Sequence, residues 1–242
     1  IAGGGDVVFR GGGTWTWTSS PVIEGAVSIE AGALQLDAML RTFGGLSTAA
    51  GSALLLGGGH LILDSEIGGT LAGTLGGIGD LVFRNGQWSI LGGFSQTGNI
   101  VIEAGSLATQ AANVLSPTSA VEIQTGALLT LVGYDQTVEG FSGAGDVDLG
   151  GGRLTITGDR DQTFAGQFTS DGQLALTSGI LRLVSPNLVP GSVNLSGGGL
   201  VIGEDATLGA GSVQFNSGWL EVAGGGTVSR SADFQGRATL HV

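Results

Sequence analysis

The stretch Val27-Ser28-Ile29-Glu30-Ala31-Gly32-Ala33-Leu34-Gln35-Leu36 contains the pattern that organises the whole chain. Apolar residues alternate with polar or small residues on both sides of Gly32. Alternation with a period of two is typical of a strand with one buried face. Glycine tolerates the positive φ that a tight bend requires. The stretch therefore predicts two short strands joined by a glycine turn.

Ten copies of this strand-glycine-strand unit follow one another along the chain. Their central glycines are Gly12, Gly32, Gly59, Gly86, Gly105, Gly126, Gly152, Gly179, Gly198 and Gly218. Successive glycines are 20, 27, 27, 19, 21, 26, 27, 19 and 20 positions apart, which is a typical length for a solenoid repeat. The longer spacings predict insertions of about seven residues that loop out at one corner.

One such unit cannot bury its apolar side chains alone, so neighbouring copies must stack. The predicted fold is all-β, a right-handed single-stranded parallel β-helix (β-solenoid) of about ten coils. A propeller blade needs about 40 or more residues, and a leucine-rich repeat needs a helical return and a fixed Asn or Cys. Neither requirement is met by this sequence.

The chain is predicted to form a single β-helix segment over residues 1–242. Leu240 and Val242 follow Val213 and Phe215 by 27 positions, and we interpret them as the start of an eleventh coil. A solenoid normally ends in a polar capping element. Neither end shows one, so we expect the segment to be an excerpt, continued by more chain or by another subunit.

Aligning the copies predicts two columns of inward side chains. The first column contains Phe9, Ile29, Leu56, Phe83, Ile102, Ile123, Leu149, Leu176, Leu195 and Phe215. The second contains Leu34, Leu61, Trp88, Leu107, Leu128, Leu154, Leu181, Leu200 and Leu220. Threonine replaces the apolar residue at Thr14, Thr16, Thr109 and Thr130. Trp219 falls one position out of phase with Trp88 and is predicted to be a surface aromatic residue.

A longer period also runs through the first half of the chain. Gly5-Asp6-Val7-Val8-Phe9-Arg10 recurs as Gly79-Asp80-Leu81-Val82-Phe83-Arg84, 74 positions later. Ile29-Glu30-Ala31-Gly32 recurs as Ile102-Glu103-Ala104-Gly105, 73 positions later. Residues 106–115 come closest to a helical composition, and we interpret them as a loop excursion.

Composition excludes several classes of partner. The chain has 49 glycines, no cysteine and a net charge of -12, and its 8 basic residues are all arginine. Such a charge repels the phosphates of nucleic acids and the surface of anionic membranes. No apolar run reaches the 18 residues or so of a membrane span. We expect no nucleic-acid partner.

The segment Tyr134-Asp135-Gln136-Thr137-Val138-Glu139-Gly140-Phe141-Ser142-Gly143-Ala144-Gly145-Asp146-Val147-Asp148-Leu149 opens a run that continues to about residue 184. This run resembles the β-strand repeats of autotransporter passenger domains, the exported parts of Gram-negative surface adhesins. The resemblance implies an extracellular protein, secreted or anchored at the outer membrane. It also implies that a membrane-embedded β-barrel follows the passenger in the full-length protein.

Three acidic motifs are candidates for chemistry. Pectin-cleaving β-helix enzymes need clustered carboxylates beside a basic residue, and the best cluster here is Asp159-Arg160-Asp161. We interpret it as a solvated loop. Asp146 and Asp148 should point outward on one strand, but two carboxylates fall short of the six to eight oxygens or so that calcium prefers. Residues 76–80 and 143–146 approach the Gly-Gly-x-Gly-x-Asp calcium repeat without its nine-residue period.

Histidine and tryptophan offer weaker signals. His60 and His241 have no partners at metal-ligand spacing, so we expect both to be surface or strand residues. Trp15 and Trp17 alternate with threonine and are interpreted as core or coil-end packing, with sugar stacking as the alternative.

The sequence predicts an extracellular structural or adhesive rod that binds a host or bacterial cell-surface ligand or associates with itself. The alternatives are a subunit of an extracellular filament built by stacking β-helix coils, and a polysaccharide-active β-helix enzyme. We predict no enzyme activity, no catalytic, cofactor-binding or metal-binding residue, and no cofactor.

Overall fold

Parallel strands stack into a β-solenoid of about ten turns, as the sequence predicts. A computed structural model describes residues 2–184, 188–189, 191–203, 206–208, 211–224, 227–228, 232–234 and 239–241. Helix is absent from these ranges. Contacts within the chain define two compact units, residues 1–119 and 120–242.

Unit 1 has three sheet faces. Each of its first four turns contributes a strand to each face in order, and the last two turns contribute strands to two of the faces. Face A contains Val7–Phe9, Val27–Ile29, Leu46–Thr48, Ser106–Thr109 and residues 68–71 and 87–90. Face B contains Thr14–Trp17, Ala33–Leu36, Ala53–Leu56 and Thr74–Gly77. Face C contains Ala2–Gly3, Val22–Ile23, Leu40–Thr42, Ile100–Ile102 and residues 61–63 and 81–83. Leu61–Leu71 and Leu81–Ile90 each bend from face C onto face A.

Unit 2 also has three faces, called D, E and F. Face D contains Leu128–Thr130, Asp146–Asp148, Phe168–Thr169, Leu188–Val189, Thr207–Leu208 and Thr227–Val228. Face E contains Gln136–Val138, Arg153–Ile156, Gln173–Leu176, Ser192–Leu195, Val213–Phe215 and Ala232–Phe234. Face F contains Ala120–Ile123, Gly140–Gly143, Asp161–Phe164, Ile180–Leu183, Gly199–Ile202, Trp219–Val222 and Thr239–His241.

One turn of the solenoid is close to 20 residues long on every face. On face B, Leu34 pairs with Leu54 and Leu54 pairs with Leu75. On face E, Leu154 pairs with Leu174. Hydrogen bonds between parallel strands hold adjacent turns about 4.8 Å apart.

The predicted insertions of seven residues are wrong. Leu56 stacks on Leu36 and not on Ile29, which itself pairs with Thr48. A turn has three corners, and the strand-glycine-strand unit occurs at all of them. A spacing of 27 positions is therefore one full turn plus one step to the next face, and no loop projects there.

Burial of the two predicted columns is confirmed with one exception. Every member of the first column is buried, as are all members of the second except Leu128, which is half-exposed. Its neighbours Ala127 and Leu129 point inward instead. The Ala127 N–H donates to the Gln124 carbonyl at 3.0 Å, so the turn closes one residue earlier than the alignment assumes.

The first copy is also shifted by one residue. Trp15 and Trp17 pair with the inward Leu34 and Leu36, while Thr14 and Thr16 are exposed. The two indole rings pack against the Phe9 ring, whose centroid is 5.2 Å from that of Trp15 and 5.4 Å from that of Trp17. This geometry agrees with the core-packing interpretation of the Thr-Trp strand.

Two further predictions need correction. Ser106–Thr109 is a strand of face A, so the predicted loop excursion does not begin at Ser106. The residues that follow pack inward at Val114 and Leu115, which are buried. Leu240 pairs with Leu220 and does not stack on Val213. Val242 lies outside the described residues.

Candidate functional site

The outward side of face C carries a column of aliphatic side chains that is interrupted by one arginine. Strand register places the column residues one above another in successive turns: Val22, Arg41, Ile62, Val82 and Val101. Val22 is 39% exposed, and the three aliphatic residues above Arg41 are half-buried. Apolar patches rimmed by polar residues are typical of interaction sites.

Ion pairs between successive turns border this column. The Arg41 Nε donates to the Asp64 carboxylate at 3.2 Å, and the Arg84 Nε donates to the Glu103 carboxylate at 2.7 Å. The hydrogen bond to Glu103 raises the pKa of the Arg84 guanidinium, and the charges of Glu103 and Asp64 raise that pKa further. The surface is therefore a patchwork of paired charges, although the chain as a whole is strongly acidic.

The same arrangement explains the long period of the sequence. Arg10 and Glu30 form a second two-bond pair, with distances of 2.8 and 3.2 Å. Arg10 and Arg84 occupy matching positions in the repeat, as do Glu30 and Glu103. In each of the two copies of the motif, an arginine therefore forms an ion pair with a glutamate that lies one turn later.

A shallow groove of about 430 Å³ lies at the corner between faces C and A. Its lining consists of Phe43, Asp64, Glu66, Ile67 and Asn85. Ile67 is 84% exposed, the most exposed of the large apolar residues in the described ranges. The groove is thus lined by two apolar side chains, two carboxylates and one amide.

One extra residue creates this groove. Leu63 pairs with Phe83 and Gly68 pairs with Gln87, so the corner between Leu63 and Gly68 is one residue longer than the corner above it. The buried Ser65 hydroxyl accepts the backbone N–H groups of Ile67 and Gly68, both at 3.3 Å. The corner is held by these bonds, and the Ile67 side chain projects into solvent.

The polar side chains that line the groove differ in whether they have a hydrogen-bond or ion-pair partner. The Arg41 guanidinium, which pairs with Asp64, also stacks over the Phe43 ring at 4.5 Å from its centroid. Asn85 accepts the Gly86 N–H at 2.9 Å. The Glu66 carboxylate is exposed and has no hydrogen-bond or ion-pair partner within the described ranges. It is therefore the group that can receive a cation from outside.

This groove was not predicted from the sequence. The only sequence signal for it is local. Four residues, Asp64-Ser65-Glu66-Ile67, lie between the inward Leu63 and Gly68. They place an isoleucine out of phase with the alternation of the strand. Without the stacking register, that isoleucine cannot be distinguished from an inward residue.

The repeated Gly-Asp motif connects successive turns. Asp6 accepts the Ala26 N–H at 2.8 Å, and Asp80 accepts the Asn99 N–H at 2.7 Å. Asp146 accepts the Gln167 N–H at 3.3 Å in the same way. Each aspartate thus caps a backbone donor one turn further on, which gives the motif a structural role.

We expect Asp80→Ala to lower the free energy of unfolding by about 1 kcal/mol, because it leaves the Asn99 N–H without its charged acceptor. Asp159→Ala is the control, since Asp159 is exposed at a corner. Urea denaturation with and without calcium measures both effects. A calcium-dependent rise in stability that Asp80→Ala abolishes would show that the motif binds the metal after all.

The candidate catalytic cluster lies at the surface. Asp159, Arg160 and Asp161 are all exposed, and Asp161 lies 3.9 Å from Arg182 in the next turn. Asp146 and Asp148 point outward, as predicted, with Asp148 accepting the Gly150 N–H at 3.0 Å. Within the described ranges, no group of three or more His, Asp and Glu residues could hold a metal ion.

His60 has a partner that its spacing did not reveal. Its Nδ1 atom lies 3.2 Å from the Asp80 carboxylate, one turn above. His241 forms part of the strand Thr239–His241. Trp219 is half-exposed and its indole covers Gly199, its register partner, in agreement with the prediction of a surface aromatic residue.

No helix in the described part of the chain is long and apolar enough to span a membrane.

The stacked parallel turns and their outward faces fit a passenger domain of the autotransporter class, as the resemblance of residues 134–184 indicates. Over 167 residues, 60% of this chain, the sequence is 31% identical to the adhesin BmaC autotransporter of Brucella suis biovar 1 (strain 1330). The chain spans about 5% of the length of that relative. No family model matches the chain, and no solved structure matches it significantly.

Proposed function

We propose that this chain is an adhesive segment at a bacterial cell surface and that the groove at Phe43 and Ile67 contacts the ligand. The proposal is supported by the similarity to an autotransporter adhesin. It is further supported by the β-solenoid fold, in which register places outward side chains of successive turns next to one another. The segment acts by binding and not by catalysis.

The single observation that carries the site is the exposure of Ile67 beside an unpaired carboxylate. An isoleucine side chain that is 84% exposed gains nothing from folding, whereas burial against a partner removes its apolar surface from water. Glu66 adds a negative charge next to it. The groove therefore fits a cell-surface protein that offers a lysine or arginine beside an apolar side chain.

The experiment uses beads coated with the whole chain, which are applied to cultured epithelial cells and also mixed with one another. We expect the beads to attach to the cells, and the double variant Phe43→Ser/Ile67→Ser to reduce attachment about tenfold, since losing an apolar anchor of about 1.4 kcal/mol changes affinity by that factor. Glu66→Gln should weaken attachment less, and the difference from wild type should disappear at high salt.

Ile78→Ser is the matched control, because Ile78 is another isoleucine of unit 1 that is 68% exposed and lies outside the groove. An equal loss with Ile78→Ser would show that the groove is not the contact surface. Wild-type beads that attach neither to cells nor to one another would contradict the adhesive function. Clumping of beads without attachment to cells would indicate self-association instead.

A further inference from the structure

Unit 2 contains a turn whose backbone is unsuited to its sequence. The Tyr134 N–H donates to the Leu131 carbonyl at 2.8 Å, which closes a four-residue turn. Its central residues, Val132 and Gly133, have φ angles of 50° and 83°. Positive φ at both central positions defines a type I′ turn, which strongly favours Asn and Gly.

The next turn of the solenoid shows what this position normally requires. The Gly152 N–H donates to the Leu149 carbonyl at 2.8 Å, and the central residues there are Gly150 and Gly151, with φ angles of 57° and 91°. Glycine adopts these angles without steric cost, whereas a β-branched residue at positive φ is a genuine outlier. Val132 is nevertheless 46% exposed, so burial of its side chain does not compensate for the strain.

Strained residues that the fold does not need are concentrated at functional sites. Two exposed side chains lie near Val132: one follows it by two residues in the chain, and the other belongs to the next turn of the solenoid. Tyr134, the single tyrosine of the chain, is 40% exposed. Arg153 is exposed, and no described carboxylate forms an ion pair with its guanidinium, in contrast to Arg41, Arg84 and Arg182.

These groups lie together because of the turn-to-turn register. The Asp135 carboxylate accepts the backbone N–H of Arg153 at 2.9 Å, so the two residues are neighbours across adjacent turns. Space is open beside them, since a Cβ atom on Gly151 would meet nothing within 4 Å. Tyr134, Asp135 and Arg153 thus lie beside the glycine backbone of residues 150–152, since a Cβ atom on Gly152 would come within 2.7 Å of the Tyr134 carbonyl oxygen and Arg153 follows Gly152 in the chain.

We propose that the turn 131–135 together with Arg153 binds a neutral sugar ring. Tyrosine offers an amphipathic ring against which the C–H face of a pyranose can pack. The guanidinium supplies several N–H donors, and the carboxylate accepts hydrogen bonds from vicinal hydroxyls. The net charge of -12 and the nearby Asp135 disfavour acidic sugars. This site is on unit 2 and does not depend on the groove of unit 1.

Because the chain has one tyrosine, ring-labelled tyrosine gives a single set of NMR signals that needs no assignment. The whole labelled chain is titrated separately with maltose, cellobiose and lactose, and with digalacturonate as the acidic arm. We expect a saturable shift of the Tyr134 ring signals with at least one neutral disaccharide. Arg153→Gln should weaken that binding about fivefold or more, because it removes one charge-assisted hydrogen bond. Arg160→Gln, which removes another exposed arginine of unit 2, should leave it unchanged.

Val132→Gly separates binding from folding. Removing the strained residue should raise the melting temperature and weaken the sugar-induced shift, because the turn no longer holds Tyr134 in one position. The proposal is overturned if no neutral disaccharide gives a saturable shift, if only digalacturonate does, or if Arg153→Gln and Arg160→Gln have equal effects. These outcomes are independent of bead attachment through Phe43 and Ile67, so failure of one proposal leaves the other testable.

Discussion

Replacing Phe164 with alanine is expected to lower the free energy of unfolding by about 3–5 kcal/mol, the cost of deleting a fully buried aromatic ring. Phe164 is 0% exposed and lies between Phe141 and Phe168 in unit 2. Its ring centroid is 4.9 Å from each of theirs, and those two are 5.8 Å apart. The neighbouring rings of Phe141 and Phe168 are themselves buried on hydrogen-bonded strands, which limits how far they can move to fill the cavity.

Urea denaturation followed by far-ultraviolet circular dichroism measures the change in the free energy of unfolding. Phe43→Ala is the control, because Phe43 is 39% exposed and deleting its ring creates no internal cavity. A loss for Phe164→Ala no larger than that for Phe43→Ala would mean that the three phenylalanine rings do not form a packed cluster.

Gly68→Ala is expected to cost more than about 4 kcal/mol, a loss of the size that marks a specific steric conflict. Gly68 has a φ of 92°, and a Cβ atom there would overlap the backbone carbonyl of Gln87 in the next turn. Two penalties therefore add: the conformational cost of positive φ and the displacement of a hydrogen-bonded neighbouring strand.

Gly51→Ala isolates the first penalty. Gly51 has a similar φ of 83°, but a Cβ atom there meets no atom within 4 Å. We expect this variant to lose only about 1–2 kcal/mol, the cost of the left-handed conformation for a residue with a side chain. Equal melting temperatures for the two variants would contradict the close approach of adjacent turns at Gly68.

The fold class and the identity of the core were predictable from the sequence because burial follows a local pattern. Period-two alternation around a glycine marks inward side chains wherever the unit occurs, so Ile29, Leu56 and Leu181 were all assigned correctly. Where two glycines are adjacent, the centre of the turn is ambiguous. That ambiguity is why the alignment of the repeats put Thr14 and Thr16 at the apolar positions of the first copy, one residue out of phase with Trp15 and Trp17.

Strand register was not predictable in the same way. The unit looks alike at all three corners of a turn, so sequence alignment cannot tell a copy one turn later from a copy one turn and one face later. Leu56 was consequently matched with Ile29, although its hydrogen-bonded partner strand is the one that contains Leu36. Parallel pairing at a turn of about 20 residues resolves the difference.

The candidate sites depend on the strand register, and they could not be predicted from the sequence for that reason. The Arg84–Glu103 pair was visible only as a repeat, because its members are 19 positions apart in the chain. The groove requires an extra residue at one corner, and the strained turn requires the φ angle of Val132. Neither quantity can be obtained from residue types alone.

The turn length is tested most directly by pairs of introduced cysteines, since the natural chain has none. Gln35 and Leu55 are outward register partners on face B, whereas a 27-residue repeat would place Ser28 next to Leu55. A disulfide requires Cα atoms within about 7 Å. We predict that mild oxidation crosslinks Gln35→Cys/Leu55→Cys and leaves Ser28→Cys/Leu55→Cys reduced; the opposite result would contradict a β-solenoid with turns of about 20 residues.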